Sequence, residues 1–152
     1  MQPGLWAIAH TTQFAQPGWQ YLDSSCGLLP DGGSYVSLRS PDGKDWSLII
    51  ETLDAQHPTT LSMTVSGGLS AERINGWRTT ERSLFEQLAT IIPAKGGFNL
   101  TFEPNAIYSL TGTSGQQKGV VSRPVPPPKE FPLPYADDFE RTNVGRSPPV
   151  SE

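Results

Sequence analysis

The chain has 152 residues, with 11 basic side chains against 15 acidic ones and a formal charge of −4. That length holds one domain, or one domain with a tail, and scattered Lys and Arg on an acidic background argue against a nucleic-acid partner, which needs clustered cations facing phosphates. No apolar run reaches the roughly 20 residues of a membrane helix, the first residues lack the positive start of a secretory signal, and the single Cys26 cannot close an internal disulfide and reads as a bland loop thiol.

In chain order, Leu5 to Ala9 is an apolar run that ends in His10, Thr11, Thr12 and Gln13. Pro17-Gly18 then marks a turn, because Pro fixes φ and Gly accepts a positive one. Trp19 to Leu22 follows as a second aromatic run, so the opening predicts strand, turn, strand. Residues 34–39 (SYVSLR) lie between Gly32-Gly33 and Pro41-Asp42-Gly43, a strand running into a hairpin turn. Residues 46–52 (WSLIIET) predict the next strand, with Trp46, Leu48 and Ile50 on one face. Leu61, Met63 and Val65 alternate with polar neighbours and stop at Gly67-Gly68. Residues 74–79 form a weaker strand because they contain Gly76.

Residues 81–89 fit two structures about equally. Leu84, Phe85 and Leu88 suit a helix that Thr80 could cap, while residues 85–92 suit a strand, and the strand is preferred because its neighbours are strands. After a turn at Pro93 to Gly97, Phe98, Leu100 and Phe102 alternate with polar residues, and Glu103-Pro104-Asn105 turns the chain into a last strand over residues 106–111. Short strands separated by turns predict an all-β chain, an antiparallel β-sandwich. Eight of the 15 prolines follow residue 120, so residues 120–134 read as an extended Pro-rich C-terminal linker.

Five blocks carry a family resemblance: WAIAHTTQFAQPGWQYL (residues 6–22), GGSYVSL (32–38), WSLIIET (46–52), TTERSLFEQL (79–88) and PLPYADDFE (132–140). In order and spacing they resemble glycoside hydrolase family 59. That resemblance implies a parent enzyme with a TIM barrel holding two catalytic glutamates, a β-sandwich and a lectin-like jelly roll. Residues 1–16 then correspond to the last strand of a truncated barrel, 17–119 to the sandwich, 120–134 to the linker and 135–152 to the start of a truncated jelly roll. The implied reaction of the intact enzyme is retaining hydrolysis of β-galactosyl ceramide or related β-galactosides. The implied partners are the barrel and lectin-like domains and a galactoside or galactolipid substrate, with no nucleic acid and no transmembrane segment. The parent family is lysosomal or secreted, and the sequence assigns this chain no compartment.

Retaining hydrolysis needs two carboxyl groups about 5 Å apart. None of Glu51, Glu72, Glu81, Glu86 and Glu103 matches the family's catalytic pair, so the isolated chain is expected to be inactive, with no catalytic residue of its own. The resemblance singles out Arg82 as the arginine that reaches the sugar. A guanidinium suits that task, being permanently charged with a planar fan of donors; the plainer reading is a surface Arg paired with Glu81 or Glu86. His10, Thr11, Thr12 and Gln13 could line the pocket where barrel strands end, or could satisfy backbone groups at the junction. His10 and His57 are too isolated for a zinc site. Asp138 resembles a calcium ligand of the lectin-like domain, but Glu140 replaces an Asn of the family pattern. No cofactor is expected, calcium being possible only with a complete lectin-like domain. Asn99-Leu100-Thr101 is a glycosylation sequon, and Trp19, Trp46 and Trp77 are core residues or sugar platforms. The alternative function is a stand-alone carbohydrate-binding or protein-interaction module. The resemblance also implies a face that a barrel would cover and that the isolated chain exposes.

Overall fold

A computed structural model of the chain describes residues 3–119 together with Pro127 and Glu130. The linker and jelly-roll assignments, residues 120–134 and 135–152, therefore lie almost wholly outside the described residues, and Asp138 and Glu140 with them.

The chain opens with a helix, α1 (Pro3–Thr12), where the sequence suggested a barrel strand. The reason is periodicity. Trp6, Ala9, His10 and Phe14 recur at a helical spacing, and all four are buried. The intervening Leu5 and Ile8 are 53% and 59% exposed, which makes the run look uniformly apolar when its one-sidedness is ignored. Proline as the first helical residue costs nothing, because the first N–H of a helix has no intrahelical acceptor. Beyond the helix, Trp19 N–H donates to Gln16 O across the Pro17-Gly18 turn, where Gly18 takes φ +93°.

Among the described residues nine strands follow: β1 (Gln20–Tyr21), β2 (Gly27–Leu28), β3 (Ser34–Arg39), β4 (Trp46–Glu51), β5 (Thr59–Thr64), β6 (Asn75–Thr79), β7 (Glu86–Gln87), β8 (Gly97–Phe102) and β9 (Ile107–Thr111). A short 3₁₀ turn, Asp23–Ser25, separates the first two. The strand expected over residues 85–92 shrinks to the two residues of β7, plus an isolated Ile74–Ile91 bridge. Every pairing is antiparallel. The large sheet runs β1-β3-β4-β9-β6-β7, with β2 also paired to β3, and β5-β8 forms a second, two-stranded sheet. The all-β antiparallel sandwich is thus the observed fold, with one helix added. Gly33 is a fixed point of the chain: at φ +111° an added Cβ would press into Glu51 O.

The two faces of the large sheet have different chemistry. On the inner face Trp46, Ile50, Tyr108 and Leu110 pack with Phe102 of the small sheet. The Phe102 and Tyr108 rings meet edge to face at 4.9 Å, and the Tyr108 hydroxyl accepts Glu103 N–H at 2.9 Å. Alternate residues point the other way, since strand side chains switch faces at each step. There Trp77 and Phe85 join Trp6, Ala9 and Phe14 in a second core under α1. Residues 3–119 are therefore layered as helix, large sheet, small sheet.

Candidate functional site

Arg82 sits in the turn between β6 and β7, and that turn is held at every step. Thr80 N–H donates to Ser83 O at 2.7 Å, and Thr80 Oγ1 accepts Ser83 N–H at 3.0 Å and Arg82 N–H at 3.3 Å. Phe85 takes a left-handed φ of +47°, a costly conformation for an aromatic residue. Two interactions retain it: its N–H donates to Thr79 Oγ1 at 2.9 Å, and its ring stacks on Trp77 at 4.5 Å. Lys118 Nζ donates to Leu84 O from outside.

Glu86, one of the two partners the sequence offered Arg82, is taken. Its Oε2 accepts Arg78 Nη2 at 2.8 Å and Ser83 Oγ at 2.8 Å. The Arg78 hydrogen bond, then that of Ser83, holds the Glu86 carboxyl below the usual range, and Glu86 in turn raises Arg78. The Arg82 side chain is exposed, and among the described residues its guanidinium makes neither a hydrogen bond nor an ion pair. The geometry is an exposed cation on a braced turn.

His10 occupies the seam beneath this turn. It has no exposed surface, so it cannot line a cleft open to a sugar. Its tautomer follows from its neighbours. The Ser109 hydroxyl donates to His10 O at 2.9 Å, so its oxygen accepts His10 Nδ1–H at 2.8 Å. Nε2 then carries no proton and accepts the Thr79 hydroxyl at 2.8 Å. Thr79 Oγ1 also accepts Phe85 N–H, so a single directional chain links α1, β9, β6 and the Arg82 turn. Burial drives the imidazole pKa down to about 4.

The other three polar residues of the opening do not converge on a site. Thr11 is exposed, Thr12 Oγ1 donates back to Ile8 O at 3.1 Å, and Gln13 exchanges two hydrogen bonds with the Gln117 backbone at 2.9 and 3.1 Å. Trp46 and Trp77 are core, and Trp46 Nε1–H donates to Ser70 O at 2.8 Å. Trp19 is half-buried and lines a depression of about 330 Å³ with Gln16, Asp45 and Ser114. Asn99 is exposed on β8. Among the described residues no three His, Cys, Asp or Glu side chains cluster as metal ligands would, and no helix is long and apolar enough to cross a membrane. Sequence reasoning missed Thr79, Ser109 and Phe85. The available signal was Ser109 and Thr111 at alternate positions of β9, with Thr79 at the end of β6, on a face covered by α1.

No protein-family model matches the chain. Galactocerebrosidase from Mus musculus is 37% identical over 158 residues, covering 89% of this chain. The Homo sapiens protein is 34% identical over the same share, and that of Danio rerio is 32% identical over 97% of the chain. The chain is a homologue of one segment of galactocerebrosidase. It spans only 22–24% of the length of these galactocerebrosidases. Among solved structures, a GH30 endoxylanase from Clostridium papyrosolvens superimposes with a TM-score of 0.63 over 75% of this chain and 28% of its own, at 13% identity. The GH30 xylanase Xyn30A from Clostridium acetobutylicum gives 0.61 over 72% of this chain and 27% of its own, at 10% identity. At such identities the likeness is one of fold. The blocks that resembled family 59 thus lie in a chain homologous to part of a glycoside hydrolase.

Proposed function

We propose that this galactocerebrosidase-related chain is a non-catalytic sandwich segment of a β-galactoside hydrolase and that Arg82 is its contact with the sugar. The observation that carries the proposal is the exposed guanidinium of Arg82, without a partner among the described residues, on a turn anchored by Thr79, Thr80, Phe85 and Glu86. The backbone that carries Arg82 is held in place before the ligand arrives, so binding has only the side chain to order. Cleavage itself would fall to carboxylates on a barrel, and α1 with its exposed Leu5 and Ile8 presents an apolar face of the kind such a neighbour covers.

The test is a chimera in which this segment replaces its homologous region in mouse galactocerebrosidase. In the chimera Arg82→Ala should lower kcat/KM for an aryl β-galactoside by roughly 10- to 100-fold, the cost of one charge-assisted hydrogen bond in a site. The pure 152-residue chain should release no product. Unchanged kinetics in a chimera that melts normally would remove Arg82 from the site, and hydrolysis by the pure chain would overturn the non-catalytic role. The alternative, a stand-alone carbohydrate-binding module, draws on one feature: the Trp19 depression, where an indole lies beside Asp45 and Gln16. Direct galactoside affinity of the isolated chain, abolished by Trp19→Ala, would favour it.

A further inference from the structure

Two threonines in succession close β6 and open the Arg82 turn, and they hold it from opposite sides. Thr80 is half-buried, and the hydrogen bonds it accepts from Arg82 N–H and Ser83 N–H lie where water competes for the same donors. Thr79 is the last residue of β6, and strand alternation turns its side chain the other way, under α1, where it is 8% exposed. The bond that Thr79 Oγ1 accepts from Phe85 N–H at 2.9 Å is buried.

That bond secures the strained residue of the turn. At φ +47° Phe85 sits where an aromatic residue is rarely found, and relaxation to a negative φ would re-route the residues that carry Arg82. Stacking on Trp77 at 4.5 Å and on Trp6 at 5.6 Å restrains the ring. The Leu84–Phe85 peptide plane is pinned separately, at its two edges. Outside, Leu84 O accepts Lys118 Nζ, an exposed contact that water can replace. Inside, the partner is Thr79, and its hydroxyl cannot rotate freely. The Ser109 hydroxyl donates to His10 O and accepts Nδ1–H, which leaves His10 Nε2 as the acceptor of the Thr79 proton at 2.8 Å. With its proton committed to His10, Thr79 presents lone-pair density to Phe85 N–H.

We propose that Thr79 is a positioning residue for Arg82: its hydroxyl, oriented by His10, holds Phe85 at the positive φ that directs the turn, and with it the guanidinium, toward the sugar. The inference rests on the reading that Arg82 meets the sugar. Thr79 touches no substrate itself. Its effect on binding therefore exists only while Arg82 is present, which separates positioning from simple support of the fold.

The experiment is a double-mutant cycle in the chimeric galactocerebrosidase, read as affinity for the galactose-configured iminosugar deoxygalactonojirimycin by calorimetry, below the melting temperature of each variant. Thr79→Val keeps the shape of the side chain and removes the hydroxyl. It should weaken binding at least about fivefold, whereas Thr79→Ser, which keeps the hydroxyl, should bind within about twofold of wild type. Added to Arg82→Ala, Thr79→Val should change the affinity by less than about twofold. Valine strands Phe85 N–H and His10 Nε2, so if that variant does not fold, Thr79→Ala carries the same comparison, its smaller side chain leaving room for a water to pair both groups. Wild-type affinity in the Thr79 variant, beside weakened binding in Arg82→Ala, would overturn the positioning role and leave the sugar contact standing. An equal loss with and without Arg82 would overturn it too, as the mark of a general packing defect. Wild-type affinity in Arg82→Ala would overturn both readings together.

Discussion

Acidifying the protein should break the His10 link, and the size of the effect can be worked out. The neutral imidazole accepts the Thr79 hydroxyl at Nε2 and donates from Nδ1 to Ser109. Protonation puts a hydrogen on Nε2. Thr79 Oγ1 must then accept from both His10 and Phe85, and its own proton loses its acceptor. The folded pKa is about 4, against 6.5 for an ordinary histidine. The folded state thus binds the proton more weakly than the unfolded chain. Its contribution to stability is complete above the unfolded value and is lost as the pH falls from there toward the folded value. Stability falls by about 1.36 kcal/mol for each pH unit crossed between those two values, so this one group loses about 2 kcal/mol between roughly pH 7 and pH 5. Urea unfolding of the wild type and of His10→Gln at both pH values measures it. The variant is less stable at neutral pH, but its loss on acidification should be smaller by about 2 kcal/mol. Parallel losses in the two proteins, or an NMR titration placing the His10 midpoint near its ordinary value, would refute the reasoning.

Phe85→Ala should destabilise the fold by about 3–5 kcal/mol in denaturant, since it empties the ring site shared by Trp6, Trp77 and His10 and leaves the left-handed turn unsupported. Gly33→Ala should cost at least about 2 kcal/mol, because the position combines a positive φ with backbone contact at Glu51 O, and a thermal melt reads it. Arg82→Ala in the isolated chain should change stability by no more than about 0.5 kcal/mol, because the side chain is exposed and unpaired among the described residues.

The sheet was legible where period and punctuation agreed. Residues 34–39 lie between two turn signals and became β3 with the expected bounds. Leu61, Met63, Phe98, Leu100 and Phe102 alternate cleanly, and the two-stranded sheet β5-β8 is built from them. The opening failed for a physical reason. Five apolar residues in a row hide a helical stripe, because Leu5 and Ile8 on the outer side are as apolar as Trp6 and Ala9 on the inner side. The strand expected over residues 85–92 failed because Phe85 bends the chain at a positive φ that its side-chain type does not announce.

The site was half legible. Arg82 came from a matched block, and the structure adds what no block contains: a braced turn, and a Glu86 already engaged by Arg78 and Ser83. His10 was picked for its polarity beside an apolar run. Polarity alone cannot separate a group facing water from one satisfied inside, and the hydroxyls that satisfy it lie 69 and 99 residues away along the chain.

The most direct test of the central claim is binding of a galactose-configured iminosugar to the chimeric enzyme, measured by calorimetry for wild type and Arg82→Ala with melting temperature as the control. The account predicts an affinity at least about tenfold weaker in the variant at an unchanged melting temperature. Equal affinity in the two proteins would contradict it.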